Sequence, residues 1–398
     1  MEQTWRWFGP DDAIPLAHVR QAGATGIVTA LHQIPYGVVW SVEDIQVRQR
    51  VINADASLGL RWSVVESLPI HEQIKLGAGN LKPLFDNYRQ SLRNLAACGV
   101  QTVCYNFMPI LDWTRTDLAY PMVGGGRALR FDAVAYAAFD CFMVERKGAE
   151  ADHLPDVVAR ARTWFEHATE STKANLLATI MAGLPGAFDR YDIAGLRTML
   201  DRYQGFGAAD LRSTLKTFLS EVIPTAEEHG IRMCIHPDDP PRPLLGLARI
   251  VSSADDLQFI VDAVPSTANG ITFCTGSLGA GAHNDVSAMA ARFAPHIQFA
   301  HLRNVTKEPD GSFVEAEHLG GDVDMVAVVA ALLGEQSRRK ANGDPRWRIP
   351  FRPDHGHELL DDPLKKTHPG YPAVGRLKGL AEIRGVMTAL GAVHAYPL

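Results

Sequence analysis

The sequence predicts an α/β protein of the (β/α)8 TIM-barrel class, and two observations support this. Short runs rich in β-branched and aromatic residues alternate with amphipathic stretches, which is typical of repeated βαβ units and a parallel sheet. Eight such runs are present, and eight strands close a barrel of this class. Barrels of this kind often form one unit of this length, so we expect residues 1–398 to be a single domain.

The predicted strands and helices follow each other along the whole chain. The strands cover residues 4–8, 26–31, 60–66, 100–107, 231–236, 270–276, 296–302 and 348–355. Two of the clearest amphipathic helices cover residues 41–59 and 322–339. Ser41 is a good N-cap for the first helix, and Gly59 is a good residue to end it.

An open, doubly wound sheet is the main alternative to the barrel. Such sheets carry a G-x-G-x-x-G turn between a strand and a helix. The glycine-rich stretches at residues 77–80 and 124–127 do not stand in that context. The pattern therefore favours the barrel.

One interval is longer than a barrel connection needs. Residues 108–230 separate the fourth predicted strand from the fifth, far more than a usual crossover. Within it, residues 154–205 have the pattern of a helix, a Gly/Pro turn and another helix. We expect a helical insertion there that serves as an oligomer contact, and hence a homodimer or a larger homo-oligomer.

Charge and composition limit the classes of partner. The chain has 39 basic and 45 acidic residues, a formal charge of −6 and no Lys/Arg run that stands out, so we expect neither a nucleic-acid nor a membrane partner. The N-terminus lacks the pattern of a secretory signal, and no apolar run approaches a membrane span. The five cysteines match no disulfide or zinc framework. We expect a soluble, cytoplasmic protein.

Four residues that favour metals stand at the ends of consecutive predicted strands. They are His236, Cys274, His301 and Asp354, on strands five to eight. Each alone is more typical of a structural residue, but the carboxyl ends of barrel strands share one rim, where active sites lie. Two imidazoles, a thiolate and a carboxylate together predict a transition-metal site. Room for substrate oxygens favours Mn²⁺ or Fe²⁺, and Zn²⁺ also fits the donor set.

Further polar residues stand at the same rim. Arg303 and Arg352 each lie two residues from a predicted ligand, and their guanidinium groups suit a substrate carboxylate. For Arg352, a salt bridge within the barrel is an equally good interpretation. His32, Glu66 and Asn106 end earlier strands, where they either bind substrate hydroxyls or brace the barrel.

Two residues are candidates for proton transfer. His355 adjoins the predicted ligand Asp354. Tyr371 lies in the Gly/Pro-rich segment 368–376, which we expect to be an exposed loop over the mouth of the barrel. Enzymes commonly use such groups as a general acid and a general base.

At these residues the sequence resembles the metal-dependent D-mannonate dehydratases. The resemblance covers nearly the whole chain and rests on long strings: TWRWFGPDD, GIVTALHQIPYGVVW, SVVESLPIHEQIK, CYNFMPILDWTRTDL, MCIHPDDPP, TFCTGSLG, FAHLRNV and FRPDHGH. It implies a xylose-isomerase-like barrel that uses Fe²⁺ or Mn²⁺, with the metal ligands at the four positions reached above. It also implies removal of water from D-mannonate, which gives 2-dehydro-3-deoxy-D-gluconate in hexuronate catabolism. His355 and Tyr371 are then the acid–base pair, in an order that the sequence leaves open.

Two other functions stay open at this point. An aldose–ketose isomerase or epimerase on the same barrel usually binds its metal through carboxylates and often uses a Lys, whereas Cys274 stands among the ligands here. A non-catalytic sugar-acid or metal-binding protein has no evident need for proton-transfer groups beside the metal.

Overall fold

A closed barrel of eight parallel strands forms the centre of the protein, which confirms the predicted fold class. The computed structural model describes residues 1–183 and 191–397. Across these two ranges, none of the helices has the length and apolar character needed to cross a bilayer.

Twelve strands occur in the described residues. They are β1 (Glu2–Arg6), β2 (Gly26–Thr29), β3 (Arg61–Glu66), β4 (Thr102–Tyr105), β5 (Asp117–Pro121), β6 (Arg127–Phe131), β7 (Arg232–Ile235), β8 (Asn269–Cys274), β9 (Ile297–His301), β10 (Asn304–Lys307), β11 (Phe313–Ala316) and β12 (Pro350–Arg352). The barrel order is β1-β12-β9-β8-β7-β4-β3-β2, closed by the pairing of β2 with β1. Each of the eight predicted strands overlaps one barrel strand.

Helices surround the barrel and connect its strands. They are α1 (Leu16–Gln21), α2 (Val42–Ile52), α3 (Glu72–Leu76), α4 (Lys82–Ala97), α5 (Ala133–Ala138), α6 (Pro155–His167), α7 (Glu170–Ile180), α8 (Ile193–Asp201), α9 (Ala208–Glu228), α10 (Ala254–Ala263), α11 (Thr275–Gly279), α12 (Val286–Phe293), α13 (Met325–Ala341) and α14 (Ala373–His394).

The helix predicted at residues 41–59 is shorter than expected. Its start is confirmed, because the Ser41 hydroxyl accepts a hydrogen bond from the Asp44 N–H at 3.1 Å. It ends at Ile52, however, because the Asp55 side chain accepts from the Ser57 N–H and begins a separate 3₁₀ turn. Gly59, with φ of 58°, ends that turn rather than α2.

A second sheet was not predicted. Its four antiparallel strands have the order β10-β11-β6-β5, and they form two hairpins that follow barrel strands β4 and β9. The sequence does carry turn signals at both hairpin tips, since Gly124 and Gly125 have positive φ and Gly311 follows Asp310. This sheet stands at the carboxyl end of the barrel, where it contributes to the site described below.

The helical insertion is confirmed by α6, α7 and α8, all within residues 154–205. The Gly/Pro turn predicted between its helices falls on residues 184–190, outside the described residues. Apolar side chains of the insertion share a cluster with the second sheet; examples are Ala161, Ile180, Leu196, Phe131 and Phe313. The insertion and the second sheet therefore support each other beside the barrel.

The barrel interior changes character along its axis. Val28, Val64, Cys104, Cys234 and Phe299 form one buried apolar cluster inside it. At the carboxyl ends of the strands, the register instead places Cys274 beside His301 and His301 beside Arg352. Polar and charged groups thus replace apolar ones at the rim where we expected the site. All five cysteines are free thiols.

Candidate metal centre and active site

Three of the predicted ligands converge at the barrel mouth. Cys274 and His301 are the last residues of β8 and β9, and His236 follows β7 directly. One donor atom from each lies within 4.8 Å of the others, and His236 Nε2 is 3.1 Å from His301 Nδ1. Parallel pairing of β7, β8 and β9 explains this convergence, because it brings their carboxyl ends to one level.

Asp354 joins these three residues from a loop. It lies two residues beyond β12 and has φ of 67°, a conformation that a non-glycine residue seldom adopts. Its Oδ2 is 3.6 Å from Cys274 Sγ and 3.9 Å from His301 Nδ1. The carboxylate therefore faces the same point as the other three side chains.

Arginines keep the Asp354 carboxyl ionised although it is buried. Arg352 donates a hydrogen bond to Oδ1, and Arg303 Nε lies 3.0 Å from Oδ2. Burial by itself raises the pKa of Asp354, but Arg352, the neighbouring histidines and Arg303 hold it well below its usual value.

Cys274 has the environment of a thiolate. Burial raises the pKa of its thiol, but Arg303 and hydrogen bonds with His236 and His301 bring that pKa well below the usual value. The Ser277 hydroxyl also lies 3.0 Å from Sγ as a donor. A thiolate, two imidazoles and a carboxylate in one buried place form a donor set that fits a divalent transition metal.

A buried ion network, which was not predicted from the sequence, lies behind these ligands. Arg115 is 2.8 Å from both Asp239 and Glu315, and Arg303 Nη2 is 2.7 Å from Asp239 Oδ2. Arg303 Nη1 also pairs with Glu315. Because these donors already contact carboxylates, the Arg303 guanidinium faces the network, and it is not among the described residues that line the two cavities near the metal ligands.

His355 and Tyr371 line a cavity of about 30 Å³ next to the metal ligands. His355 Nδ1 is 2.7 Å from Glu315 Oε1, so its Nε2 is the nitrogen left for chemistry. The ring centroids of His355 and Tyr371 are 4.9 Å apart. Burial raises the pKa of Tyr371 to about 12, although Arg352 acts in the opposite direction.

The expectation of an exposed loop at residues 368–376 was wrong for Tyr371. Its side chain is only 4% exposed, because it packs between the rings of Phe8 and His355. The segment also ends earlier than expected, since α14 begins at Ala373. The hydroxyl of Tyr371 is thus held at the cavity wall by aromatic contacts.

Glu66 and Arg352 bind each other in the wall of the same small cavity. Arg352 donates to the Glu66 carboxylate at 2.7 and 3.0 Å, and Arg6 lies 3.3 Å from it. Burial raises the pKa of Glu66, but Arg352, His301 and Arg6 hold it well below the usual value. The salt-bridge interpretation of Arg352 agrees with these contacts, and its side chain still lines the cavity.

A larger cavity of about 310 Å³ adjoins the first one. The described residues that line both cavities are Ser67, Asn106, Met108 and Asp112. His32 lines the larger one, where burial and then Arg6 lower its pKa to about 3, so its imidazole is neutral near pH 7. His32 and Asn106 therefore offer uncharged polar groups to a ligand.

Comparison with known proteins gives the family. The sequence profile of the family described as D-mannonate dehydratase (UxuA) matches residues 1–396. The chain belongs to this family. The mannonate dehydratase of Chromohalobacter salexigens is 58% identical over 391 residues, 98% of this chain and 99% of that protein. The mannonate dehydratase of Marinomonas sp. is 54% identical over the same length, with the same coverage of both chains.

A solved structure of the mannonate dehydratase family has the same fold. The crystal structure of mannonate dehydratase from Streptococcus suis serotype 2 is 32% identical and superposes with a TM-score of 0.77. It covers 100% of this chain, and this chain covers 95% of it. The likeness therefore extends along the whole chain and is not confined to one part of it.

Proposed function

We propose that the protein is a D-mannonate dehydratase, a hydro-lyase that converts D-mannonate into 2-dehydro-3-deoxy-D-gluconate and water. The observation that carries this proposal is the match to curated mannonate dehydratases over 98% of the chain at 58% identity. The buried donor set at the barrel mouth supports it, since the family is metal-dependent.

The proposed metal is Mn²⁺ or Fe²⁺, held by His236, Cys274, His301 and Asp354. Two nitrogens, one sulfur and one oxygen suit these ions better than Mg²⁺ or Ca²⁺, which prefer oxygen alone. A divalent cation there would supply Lewis-acid stabilisation to the carboxylate and hydroxyl oxygens of the substrate. The charged network behind the ligands keeps Asp354 and Cys274 in their ionised forms.

Dehydration needs two proton transfers. A base removes the proton at C2, an acid donates a proton to the hydroxyl that leaves C3, and the resulting enol becomes the 2-keto acid. His355 and Tyr371 are the proposed pair, because both side chains face the small cavity. The hydrogen bond from His355 Nδ1 to Glu315 directs Nε2 to the substrate. Exchange of the C2 hydrogen with solvent would assign the base, as described below.

Substrate contacts divide between the two cavities. Arg352 is proposed to interact with the substrate carboxylate, since it lines the small cavity while Glu66 fixes its orientation. His32 and Asn106 are proposed to bind substrate hydroxyls from the larger cavity. We propose that Arg303 acts indirectly, by holding Asp354 and Cys274.

We further propose that this one-domain protein works in the cytoplasm, as a homo-oligomer, in hexuronate (glucuronate) catabolism. Five free thiols are consistent with a reducing compartment. The reaction consumes a sugar acid and produces a 2-keto-3-deoxy acid, which fits a catabolic step.

One assay tests the proposed function. The purified protein is incubated with D-mannonate, and formation of the 2-keto acid is followed with and without EDTA. We expect product only when the metal is present, and recovery when Mn²⁺ or Fe²⁺ is added back. An isomerase or epimerase would form other sugars but no 2-keto-3-deoxy acid, and a binding protein would form no product. Full activity in a metal-free preparation would contradict the proposed centre.

A further inference from the structure

The small cavity cannot hold a whole six-carbon acid. Its volume of about 30 Å³ leaves room for only a few water-sized groups. If C1, C2 and C3 lie at the metal ligands and the acid–base pair, then C4, C5 and C6 must extend elsewhere. The adjoining cavity of about 310 Å³ is the neighbouring space that can take them.

Asp112 stands where the two cavities meet. It is one of the described residues that line both of them. Its Oδ1 accepts a hydrogen bond from the Trp113 N–H at 2.8 Å, and the residue stays partly exposed. Burial raises the pKa of this carboxyl group, against the opposing effect of Lys75. Its carboxyl group is therefore accessible to a ligand that occupies the two cavities, and it can accept hydrogen bonds from that ligand.

Charged side chains hold the loop that carries Asp112. Lys75 Nζ donates to the Met108 carbonyl at 2.8 Å, and Arg249 Nη2 donates to the Leu111 carbonyl at 2.6 Å. The Glu72 carboxylate accepts from the Ile110 N–H at 3.0 Å. Since the backbone is fixed at three points, the position of the Asp112 carboxyl is set before any ligand arrives, which lowers the entropy cost of binding.

We propose that Asp112 is a specificity-determining residue for the far end of the substrate. It accepts hydrogen bonds from the hydroxyls on C5 and C6 of a six-carbon acid whose first three carbons lie in the small cavity. This inference rests on the proposed function, because it takes the orientation of the substrate from the dehydration reaction.

The test compares ligands of two lengths. D-mannonate is the substrate, and a four-carbon acid with the same configuration at C2 and C3 is the competitor, since it lacks C5 and C6. In Asp112→Ala we expect KM for D-mannonate to rise about 10- to 100-fold, the usual effect of losing a hydrogen bond to a charged group. The inhibition constant of the four-carbon acid should stay at the wild-type value. Asp112→Asn keeps one acceptor oxygen, so its KM for D-mannonate should rise less than that of Asp112→Ala.

Two results would overturn the inference. One is a parallel rise of KM and of the four-carbon inhibition constant, which would place Asp112 beside the reacting carbons. The other is a fall in kcat with unchanged KM, which would make it an acid or a base. Asp285→Asn, at the exposed N-cap of α12, is the control. Its KM for D-mannonate and its inhibition constant for the four-carbon acid should equal those of the wild type. Wild-type protein that forms no 2-keto acid would contradict the proposed function instead, so the two failures are distinguishable.

Discussion

The two sides of the barrel mouth are built in opposite ways. On the metal side, after β7, β8, β9 and β12, ionisable side chains are buried and bound to each other. On the open side, after β1 to β4, a large cavity is lined by polar groups such as His32, Asn106 and Asp112. The metal side therefore has its geometry fixed by internal contacts, whereas the open side keeps its groups for a ligand.

This difference predicts different responses to substitution. Removing one partner from a buried ion network leaves another charge unpaired, so changes on the metal side should disturb several residues at once. Changes on the open side remove contacts with the ligand and should alter KM more than kcat. The expected effect of substitution on activity is largest at the metal ligands. It is smaller at the acid–base pair, smaller again at the cavity wall, and smallest at the insertion.

The largest effect is expected from Cys274→Ser. A serine hydroxyl stays protonated where the thiolate is ionised, so metal affinity should fall by at least ~10²-fold, more than changes beside a ligand usually cause. Activity should fall with it. Metal content per chain, measured after dialysis, checks the prediction.

Cys234→Ser is the matched control. Cys234 is also fully buried, but it lies in the apolar interior of the barrel, where its Sγ faces the Val103 carbonyl at 3.6 Å. This variant should keep its metal and lose about 1 kcal/mol of stability. If both variants retain metal equally, Cys274 is not a ligand.

The next largest effect on activity is expected from substitution of the acid–base pair. His355→Asn and Tyr371→Phe should each lower kcat about 10²-fold, the usual contribution of such a group. Metal content should stay constant, because neither side chain is a proposed ligand. The variant that still exchanges the C2 hydrogen with deuterium from solvent, but forms no product, has lost the acid and kept the base.

Tyr88→Phe controls for the loss of a buried hydroxyl, since Tyr88 lies outside the small cavity. It should keep wild-type kcat. If His355→Asn or Tyr371→Phe shows near-normal kcat with a raised KM, that residue only positions the substrate.

The barrel and the convergence of three candidate ligands could be predicted from sequence because both depend on regular features. Strand ends in a parallel barrel share one rim, so His236, Cys274 and His301 could be grouped without a structure. Asp354 was expected at a strand end, but it lies two residues beyond β12, where a left-handed backbone turns it toward the other three side chains.

The supporting residues could not be predicted in the same way. Arg115, Asp239 and Glu315 meet from three distant segments, and Glu315 lies on a sheet that was not predicted. Charged residues are usually exposed, so composition gives no reason to expect them in a buried network. Tyr371 was expected on an exposed loop because Gly and Pro suggested one, but its aromatic contacts are long-range and bury it.

A smaller effect is expected on the open side. Asn106 lines both cavities, and no hydrogen bond from its side chain is found among the described residues. Asn106→Ala should therefore raise KM for D-mannonate about 10-fold, the equivalent of one or two lost hydrogen bonds, with kcat within a few-fold of wild type. Asn342→Ala, on the exposed surface just after α13, is the control. A large fall in kcat would place Asn106 with the metal side instead.

The smallest effect on activity is expected where the insertion meets the open side. The Tyr203 hydroxyl, just after α8, donates a hydrogen bond to the Glu72 carboxylate that holds the loop before Asp112. Tyr203→Phe should lower the free energy of unfolding by about 1.5 kcal/mol, typical of a hydrogen bond to a charged group. Activity should change less than threefold, because Lys75 and the Ile110 N–H still hold Glu72.

The difference in the free energy of unfolding between wild type and Tyr203→Phe should depend on pH, and this dependence identifies its cause. Burial raises the pKa of Glu72, but Lys75 and the Tyr203 hydroxyl bring it below the usual value. A carboxyl group with a depressed pKa stabilises the folded state fully above its unfolded pKa and loses that effect as pH falls through the folded one. Urea unfolding should therefore show the full gap between wild type and Tyr203→Phe at pH 7, and a narrower gap in acid below about pH 4. A gap that stays constant over this range would mean that the hydroxyl acts through packing and not through Glu72.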